Sequence, residues 1–222
     1  MSDATNIKAV AFDLDGLMFN TEELYEEVGG QLLRRRGKVC TRELLDQMMG
    51  RPGRVALQIM IDFHGLDATV EQLQTETDEI FGGLLAERLE PMPGLIQLLE
   101  ALESHKLPKA IATSSRRHFA ERALAKFDLE RRFAFLITGD DVQEGKPHPE
   151  VYLTTAARLN CEPHEMLVLE DSQNGCAAAV AAGAFAVAVP GAQSANHTFE
   201  GAKLIADGLA DPRIYTALGM KA

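Results

Sequence analysis

Short apolar runs alternate with helix-forming segments from Pro91 to Val189, and this alternation limits the possible folds more than any other feature. The apolar runs predict strands over residues 108–112, 133–138, 166–169 and 185–189. Apolar residues at helical spacing predict helices over residues 93–105, 116–127, 150–160 and 173–182. Strands that alternate with helices are typical of a parallel sheet covered on both faces. The sequence therefore predicts an α/β fold built on a parallel sheet.

An earlier apolar run, Lys8–Phe12, ends at the polar turn Asp13–Gly16, as expected of a buried strand. The stretch that follows is different, because its apolar residues recur at helical spacing and glycines interrupt them. It predicts four helices and no strand. This helical block interrupts the sheet after its first strand. We expect a core domain of residues 1–18 and 88–222 and an inserted helical domain of residues 19–87.

Composition and charge exclude several classes of partner. The 222 residues carry a net charge of −11, which repels nucleic acid and anionic membranes. No apolar run reaches the roughly 18 residues of a membrane span, and no basic segment followed by a long apolar stretch suggests a signal peptide. The cysteines Cys40, Cys161 and Cys176 lack metal-ligand spacing, which is typical of a reduced compartment. We expect a cytoplasmic monomer that binds neither nucleic acid nor membrane.

Polar side chains follow the predicted strands at the points where those strands end. They are Asp13, Asp15, Thr113, Lys146, Glu170 and Asp171. Taken singly, each has an ordinary structural explanation, such as a turn or a helix cap. Open parallel sheets bind their ligands outside the carboxyl ends of the strands, where all of these residues are expected to meet. The sequence therefore predicts a single site at this edge.

The residue types at this edge suit phosphoryl transfer. Carboxylates alone would repel a phosphate dianion, so a hard cation has to reverse the local charge, and oxygen ligands favour Mg²⁺. The predicted metal ligands are Asp13, Asp15, Glu170 and Asp171. The predicted catalytic residues are Asp13, Asp15, Thr113 and Lys146.

Each predicted catalytic residue has its own task. The carboxylate of Asp13 is the candidate nucleophile, which attacks phosphorus in line. Asp15, two residues on, can protonate the leaving oxygen and later deprotonate water. Lys146 adds a fixed positive charge, and the Thr113 hydroxyl can donate a hydrogen bond to a phosphoryl oxygen.

Substrate binding is assigned to residues of both predicted domains. The candidates are Thr113, Ser114, Lys146, Arg51 and Arg54. The two arginines lie in a loop between predicted helices of the insert, where they either meet an anionic group of the substrate or are solvated surface side chains. His118 and His148 lie near the site in sequence but fit no task, and we expect both at the surface.

Four segments resemble the motifs of the haloacid dehalogenase superfamily and occur in that family's order. They are Asp13–Gly16, Ile111–Ser114, Gly145–Pro147 and Leu169–Ser172. The helical insert directly after the first motif is similar to the family's cap of the first type. The resemblance extends from residue 8 to about residue 190. It implies a Rossmann-like core, a Mg²⁺ requirement and an intermediate phosphorylated on Asp13.

Within the superfamily, the chain resembles beta-phosphoglucomutase in Lys146–Pro149 and Leu169–Gly175. It resembles the pseudouridine-5′-phosphatase type in Ala112–Ser115 and Gly139–Asp141. The mutase family carries a histidine soon after the first motif, where this chain has Tyr25. The departure favours a phosphatase of a small phosphorylated metabolite, such as a sugar, nucleotide-like or polyol phosphate. A phosphomutase is the alternative.

The residues present argue against other activities known for this superfamily. The dehalogenases and phosphonatases of the superfamily lack the second carboxylate, which is present here as Asp15. Phosphonatases also need a lysine in the cap, and Lys38 is the only lysine in the insert. A non-catalytic binding module would not need to keep the complete set of candidate catalytic and metal-binding side chains.

Overall fold

The structure, a computed structural model, describes residues 6–48 and 53–220. The chain divides into two compact units, Met1–Asn20 with Glu90–Ala222 and Thr21–Leu89. The predicted domain boundaries lie after residues 18 and 87, and the boundaries between these two units lie after residues 20 and 89. That the two units act as separate domains stays a prediction.

The larger unit is built on a parallel sheet, as the strand–helix alternation predicts. Its strands in chain order, over the described residues, are β1 (Ala9–Phe12), β2 (Lys109–Ala112), β3 (Leu136–Ile137), β4 (Met166–Glu170), β5 (Phe185–Ala188) and β6 (Leu204–Ile205). They lie in the order β3-β2-β1-β4-β5-β6, and each neighbouring pair is parallel. Strands β1, β2 and β4 are buried along their whole length, which explains why they read as continuous apolar runs.

The smaller unit is helical. Its helices, over the described residues, are α1 (Thr21–Arg34), α2 (Arg42–Met48), α3 (Gly53–His64) and α4 (Val70–Arg88). Leu24, Val28 and Leu32 of α1 are buried at the spacing of one helical face. Thr69 caps α4 in a capping box with Gln72, in which each side chain binds the other residue's backbone N–H. The prediction of four helices without a strand is confirmed for the residues described.

The remaining helices belong to the larger unit. They are α5 (Leu95–Ser104), α6 (Arg117–Ala125), α7 (Glu150–Arg158), α8 (Gln173–Ala181) and α9 (Pro212–Ala217). Alanines form most of the core cluster shared by α7, α8 and the sheet, so these helices pack close to the strands. None of the helices described is both long and apolar enough to cross a membrane.

The predictions were incomplete for the two outer strands of the sheet, β3 and β6. The strand predicted over residues 133–138 is regular only at β3, although Ala134 and Phe135 also form hydrogen bonds with β2. Strand β6 and helix α9 were not predicted, because two and six residues are too few to show a hydrophobic period.

Candidate active site

The carboxyl ends of β1, β2 and β4 lie level at one edge of the sheet. Phe12 of β1 is in register with Ile111 of β2 and with Leu169 of β4. The residues one or two positions further along the chain therefore reach the same edge. Asp13, Thr113 and Glu170 all lie there with no more than 6% of their surface exposed. Burial of this kind needs compensating partners for each polar group.

Lys146 supplies the main compensating charge. Its Nζ donates to Oδ1 of Asp13 at 2.5 Å and to Oε1 of Glu170 at 2.6 Å. A third hydrogen bond reaches the carbonyl oxygen of Ala112 at 2.9 Å. The ammonium thus uses all three of its donors inside the site and links the ends of three strands.

The charges of this group act on one another. Burial lowers the pKa of Lys146, but the negative charges of Asp13 and Glu170 outweigh burial and raise it above its usual value, so the ammonium stays charged. Burial raises the pKa of Asp13 well above its ordinary value. Lys146 opposes this rise, and the carboxylates of Glu170 and Asp15 add to it. The site therefore carries more negative charge than one lysine neutralises.

Glu170 is enclosed on several sides. Besides Lys146, Oε1 accepts a hydrogen bond of 2.5 Å from the hydroxyl of Tyr152 on α7. Burial and the charge of Glu170 raise the pKa of Tyr152 well above its usual value, so the phenol remains a donor. Oε2 accepts from the hydroxyl of Ser172 at 3.1 Å. A Cβ on Gly175 would lie 1.9 Å from Oε1, so only glycine leaves room for the carboxylate here.

Three carboxylates at this edge could hold a metal ion. Oxygen atoms of Asp13, Glu170 and Asp171 all lie within 4.8 Å of one another. Against the single ammonium of Lys146, three carboxylates leave two negative charges uncompensated. An all-oxygen donor set with this charge suits a hard divalent cation. The Asp15 carboxylate, predicted as a further ligand, is not part of this cluster.

The carboxylate of Asp15 is held by hydroxyl groups at the end of β2. Its Oδ2 accepts from Oγ of Ser115 at 2.6 Å and from Oγ1 of Thr113 at 3.1 Å. The Thr113 hydroxyl also accepts from the backbone N–H of Ser115 at 3.0 Å. Gly16, next to Asp15, has a φ of 74°, a left-handed conformation that glycine adopts without strain. The turn therefore directs Asp15 towards the loop after β2.

The other predicted site residues have different surroundings. Ser114 and the two histidines, His118 and His148, are exposed, as predicted for the histidines. Arg54 is exposed and pairs with Glu71 inside the helical unit. Arg51 lies outside the described residues.

The sequence alone gave no sign of three residues that shape this edge. Tyr152 lies on a helix face that otherwise reads as apolar core, and nothing in the sequence signals a polar task for its hydroxyl. Ser115 and Gly175 belong to segments that resemble the family, but their contacts with Asp15 and Glu170 are visible only in the structure.

The arrangement can carry out a two-step substitution. Asp13 offers a carboxylate whose position is fixed by Lys146, and Asp15 offers a second carboxylate on the same turn. A nucleophile and a separate proton carrier are the two groups that covalent hydrolysis needs.

Comparisons with known proteins identify the family of the chain. The family model for haloacid dehalogenase-like hydrolases matches residues 10–189. A phosphorylated carbohydrates phosphatase of Thermotoga maritima is 36% identical over 177 residues, covering 80% of this chain and 82% of that protein. Validoxylamine A 7′-phosphate phosphatase of Streptomyces hygroscopicus subsp. limoneus is 33% identical over 207 residues, covering 90% of this chain and 93% of that protein.

A solved structure shares the fold at lower identity. Beta-phosphoglucomutase of Clostridium difficile superposes with a TM-score of 0.78 at 21% identity, over 96% of this chain and 97% of that one. At this identity the likeness shows the fold alone. Because the family model covers most of the sequence and both relatives exceed 30% identity, the chain belongs to the haloacid dehalogenase-like hydrolases and is one of their phosphatases.

Proposed function

We propose that the chain is a Mg²⁺-dependent phosphatase that hydrolyses a small phosphorylated metabolite through a phosphorylated Asp13. One observation carries the proposal: Lys146 joins Asp13 to Glu170 beside Asp171, while Asp15 is held separately by Thr113 and Ser115. The nucleophile and the proton carrier thus have different partners, which lets their tasks differ.

The metal belongs to the proposal because the donor set fits it. Asp13, Glu170 and Asp171 would hold Mg²⁺, and their charge exceeds what Lys146 compensates. When bound, Mg²⁺ supplies positive charge that offsets the phosphoryl oxygens and lowers their repulsion of the nucleophile.

In the first step, a carboxylate oxygen of Asp13 attacks phosphorus. The new O–P bond forms as the bond from phosphorus to the leaving oxygen breaks. Asp15 enters this step protonated and gives its proton to the leaving oxygen, so the product is a neutral alcohol. Lys146 holds Asp13 in place and keeps a positive charge beside the reacting oxygens.

In the second step, water attacks the phosphorus of the acyl phosphate. Asp15, now a carboxylate, takes a proton from that water, and the O–P bond to Asp13 breaks. Inorganic phosphate leaves, Asp13 is restored as a carboxylate, and Asp15 is again protonated for the next turnover. Both steps use the same two residues in reversed proton roles.

For substrate, we propose a phosphorylated carbohydrate or a similar sugar, nucleotide-like or polyol phosphate. Two relatives named for a phosphorylated carbohydrate and for validoxylamine A 7′-phosphate support this class. We extend the proposal to Thr113 and Ser114 as ligands of the phosphoryl group, which requires the Thr113 hydroxyl to turn its one proton from Asp15 to a phosphoryl oxygen. We leave Arg54 as a candidate for the rest of the substrate, which requires it to exchange its partner Glu71.

We also propose that the enzyme works as a monomer in the cytoplasm, without a nucleic-acid or membrane partner. The net charge of −11 supports the absence of anionic polymers and surfaces as partners. All three cysteines are free, which supports a reducing compartment.

The experiment is phosphate release from a panel of phosphorylated metabolites with Mg²⁺ and with excess chelator. We expect turnover of at least one sugar or polyol phosphate, reversible loss in chelator, and loss of activity in Asp13→Asn. Asp207→Asn is the matched control, because that side chain is 97% exposed in the same unit. Full activity in chelator, or retained activity in Asp13→Asn, contradicts the proposal.

The phosphomutase alternative is tested in the same assay. Beta-glucose 1-phosphate is incubated with and without glucose 1,6-bisphosphate, and both free phosphate and glucose 6-phosphate are followed. A phosphatase releases phosphate in proportion to the substrate consumed. Many turnovers of isomerisation with little free phosphate would establish the mutase instead.

A further inference from the structure

Tyr152 is buried in the core of the larger unit, yet its polar end points into the site. The residue lies on α7 with 0% of its surface exposed. Its hydroxyl donates to Oε1 of Glu170 at 2.5 Å. The Nζ of Lys146 lies 5.1 Å from the centre of its ring. Tyr152 therefore contacts both members of the ion pair that anchors Asp13.

The surroundings of Glu170 leave its carboxylate little freedom. Two donors converge on Oε1, the Tyr152 hydroxyl and the Lys146 ammonium, and the Ser172 hydroxyl binds Oε2. The backbone of Gly175 closes a further side, where a Cβ would meet the carboxyl carbon at 2.0 Å. Among the hydrogen bonds described, removing the Tyr152 hydroxyl leaves Lys146 as the donor to Oε1, so we expect the carboxylate to gain freedom to rotate.

We propose that Tyr152 is a positioning residue of the metal site, which acts through its hydrogen bond to Glu170 and does not touch the substrate. The inference rests on the proposed metal-dependent function and extends it. A carboxylate held in one orientation binds a cation better than one that must first be ordered. Hydrogen-bond partners of metal ligands typically change metal affinity or activity by about 10- to 100-fold when removed.

The substitution Tyr152→Phe tests this directly, since it removes the hydroxyl and keeps the ring beside Lys146. Mg²⁺ binding to the metal-free full-length enzyme is measured by titration calorimetry without substrate. We expect Kd for Mg²⁺ to rise by about tenfold in Tyr152→Phe. Tyr215→Phe is the matched control, because Tyr215 lies on α9 and none of the site contacts described involves it. Its Kd for Mg²⁺ should equal that of the wild type.

A double-mutant cycle with Glu170→Gln separates positioning from a general structural effect. If Tyr152 acts through Glu170, its substitution in the Glu170→Gln background should change the Kd by less than about threefold. A structural effect elsewhere would give the same loss in both backgrounds and would overturn the inference. Unchanged Mg²⁺ affinity in the single variant Tyr152→Phe would also overturn it.

The Mg²⁺ dependence of turnover gives a second readout. We expect Tyr152→Phe to lose activity at low Mg²⁺ and to regain most of kcat at high Mg²⁺, with KM for substrate unchanged. A loss that persists at saturating Mg²⁺ contradicts the proposal. Wild-type enzyme that binds Mg²⁺ but releases no phosphate refutes the proposed function alone, whereas wild-type enzyme without saturable Mg²⁺ binding refutes both.

Discussion

The ammonium of Lys146 lies 2.5 Å from Oδ1 of Asp13, although 133 residues separate them in the sequence. The contact joins the end of the first strand to a loop beyond the third strand of the chain. It is buried, with 6% and 8% of the two side chains exposed. Removing one partner of such a pair leaves the other charge uncompensated, which is costly.

We therefore expect Lys146→Met to affect both stability and activity. Without metal, the free energy of unfolding at pH 7 should fall by about 3 kcal/mol, as for other broken buried pairs. Urea denaturation in chelator measures this loss, and Lys203→Met, at an exposed site in the same unit, is the control. The value of kcat should fall by about 10²-fold or more, because a charge beside the reacting oxygens is lost. Unchanged stability would show that the pair does not anchor Asp13.

The separate placement of Asp15 leads to a prediction about leaving groups. Asp15→Asn can keep the hydrogen bonds from Thr113 and Ser115 but can no longer donate a catalytic proton. Alkyl phosphates need that proton, so formation of the phosphorylated enzyme should slow by about 10²-fold or more for them. For p-nitrophenyl phosphate, whose leaving group needs little protonation, this step should slow much less. Stopped-flow and quench measurements compare the two substrates, and equal slowing for both would argue against Asp15 as the acid.

The central part of the fold and much of the site were predictable because their signals are local. A buried strand such as β1 reads as an apolar run, and a polar turn marks its end at Asp13. Since parallel strands end at one edge, the predicted ends also bring Asp13, Thr113 and Glu170 together. The sheet order follows from packing that no single strand encodes, and no order was predicted.

The features that were not predicted depend on contacts between segments that are distant in the sequence. Tyr152 has the spacing of a core residue, and its task appears only when α7 packs against the end of β4. Gly175 likewise reads as a helix residue, although the Glu170 carboxylate excludes any side chain there. Strand β6 has only two residues, so it gives no periodic signal and depends on pairing with β5.

An ion cluster at the opposite edge of the sheet provides a structural contrast to the active site. Glu103 accepts two hydrogen bonds of 2.8 Å from Arg132 and pairs with Lys109 at 3.0 Å. The hydrogen bond from Arg132 is the main cause that lowers the pKa of Glu103 to about 2, and Lys109 adds to it. A carboxylate with a lowered pKa stabilises the fold above its ordinary pKa of 4.5 and loses that effect as pH falls towards 2.

Glu103→Gln should accordingly reduce stability without reducing activity. Because Glu103 is 41% exposed, solvent screens the cluster, and we expect a cost of about 1 kcal/mol at pH 7. The difference in free energy of unfolding between Glu103→Gln and wild type should stay constant from roughly pH 5 to roughly pH 8 and shrink below pH 4.5. Urea titrations at several pH values measure it, with Glu200→Gln as an exposed control. A stability difference that grows as the pH falls would contradict a lowered pKa of Glu103 in this cluster.

A phosphoryl group that passes through a covalent bond to Asp13 leaves a signature in the stereochemistry at phosphorus. A phosphorothioate analogue of the substrate, made chiral at phosphorus with ¹⁶O and ¹⁸O, is hydrolysed in water labelled with ¹⁷O, and the configuration of the released thiophosphate is determined. Two successive in-line displacements, first by Asp13 and then by water, each invert the configuration at phosphorus, so we expect overall retention. Overall inversion would mean that water attacks the substrate directly, and it would contradict the proposed role of Asp13.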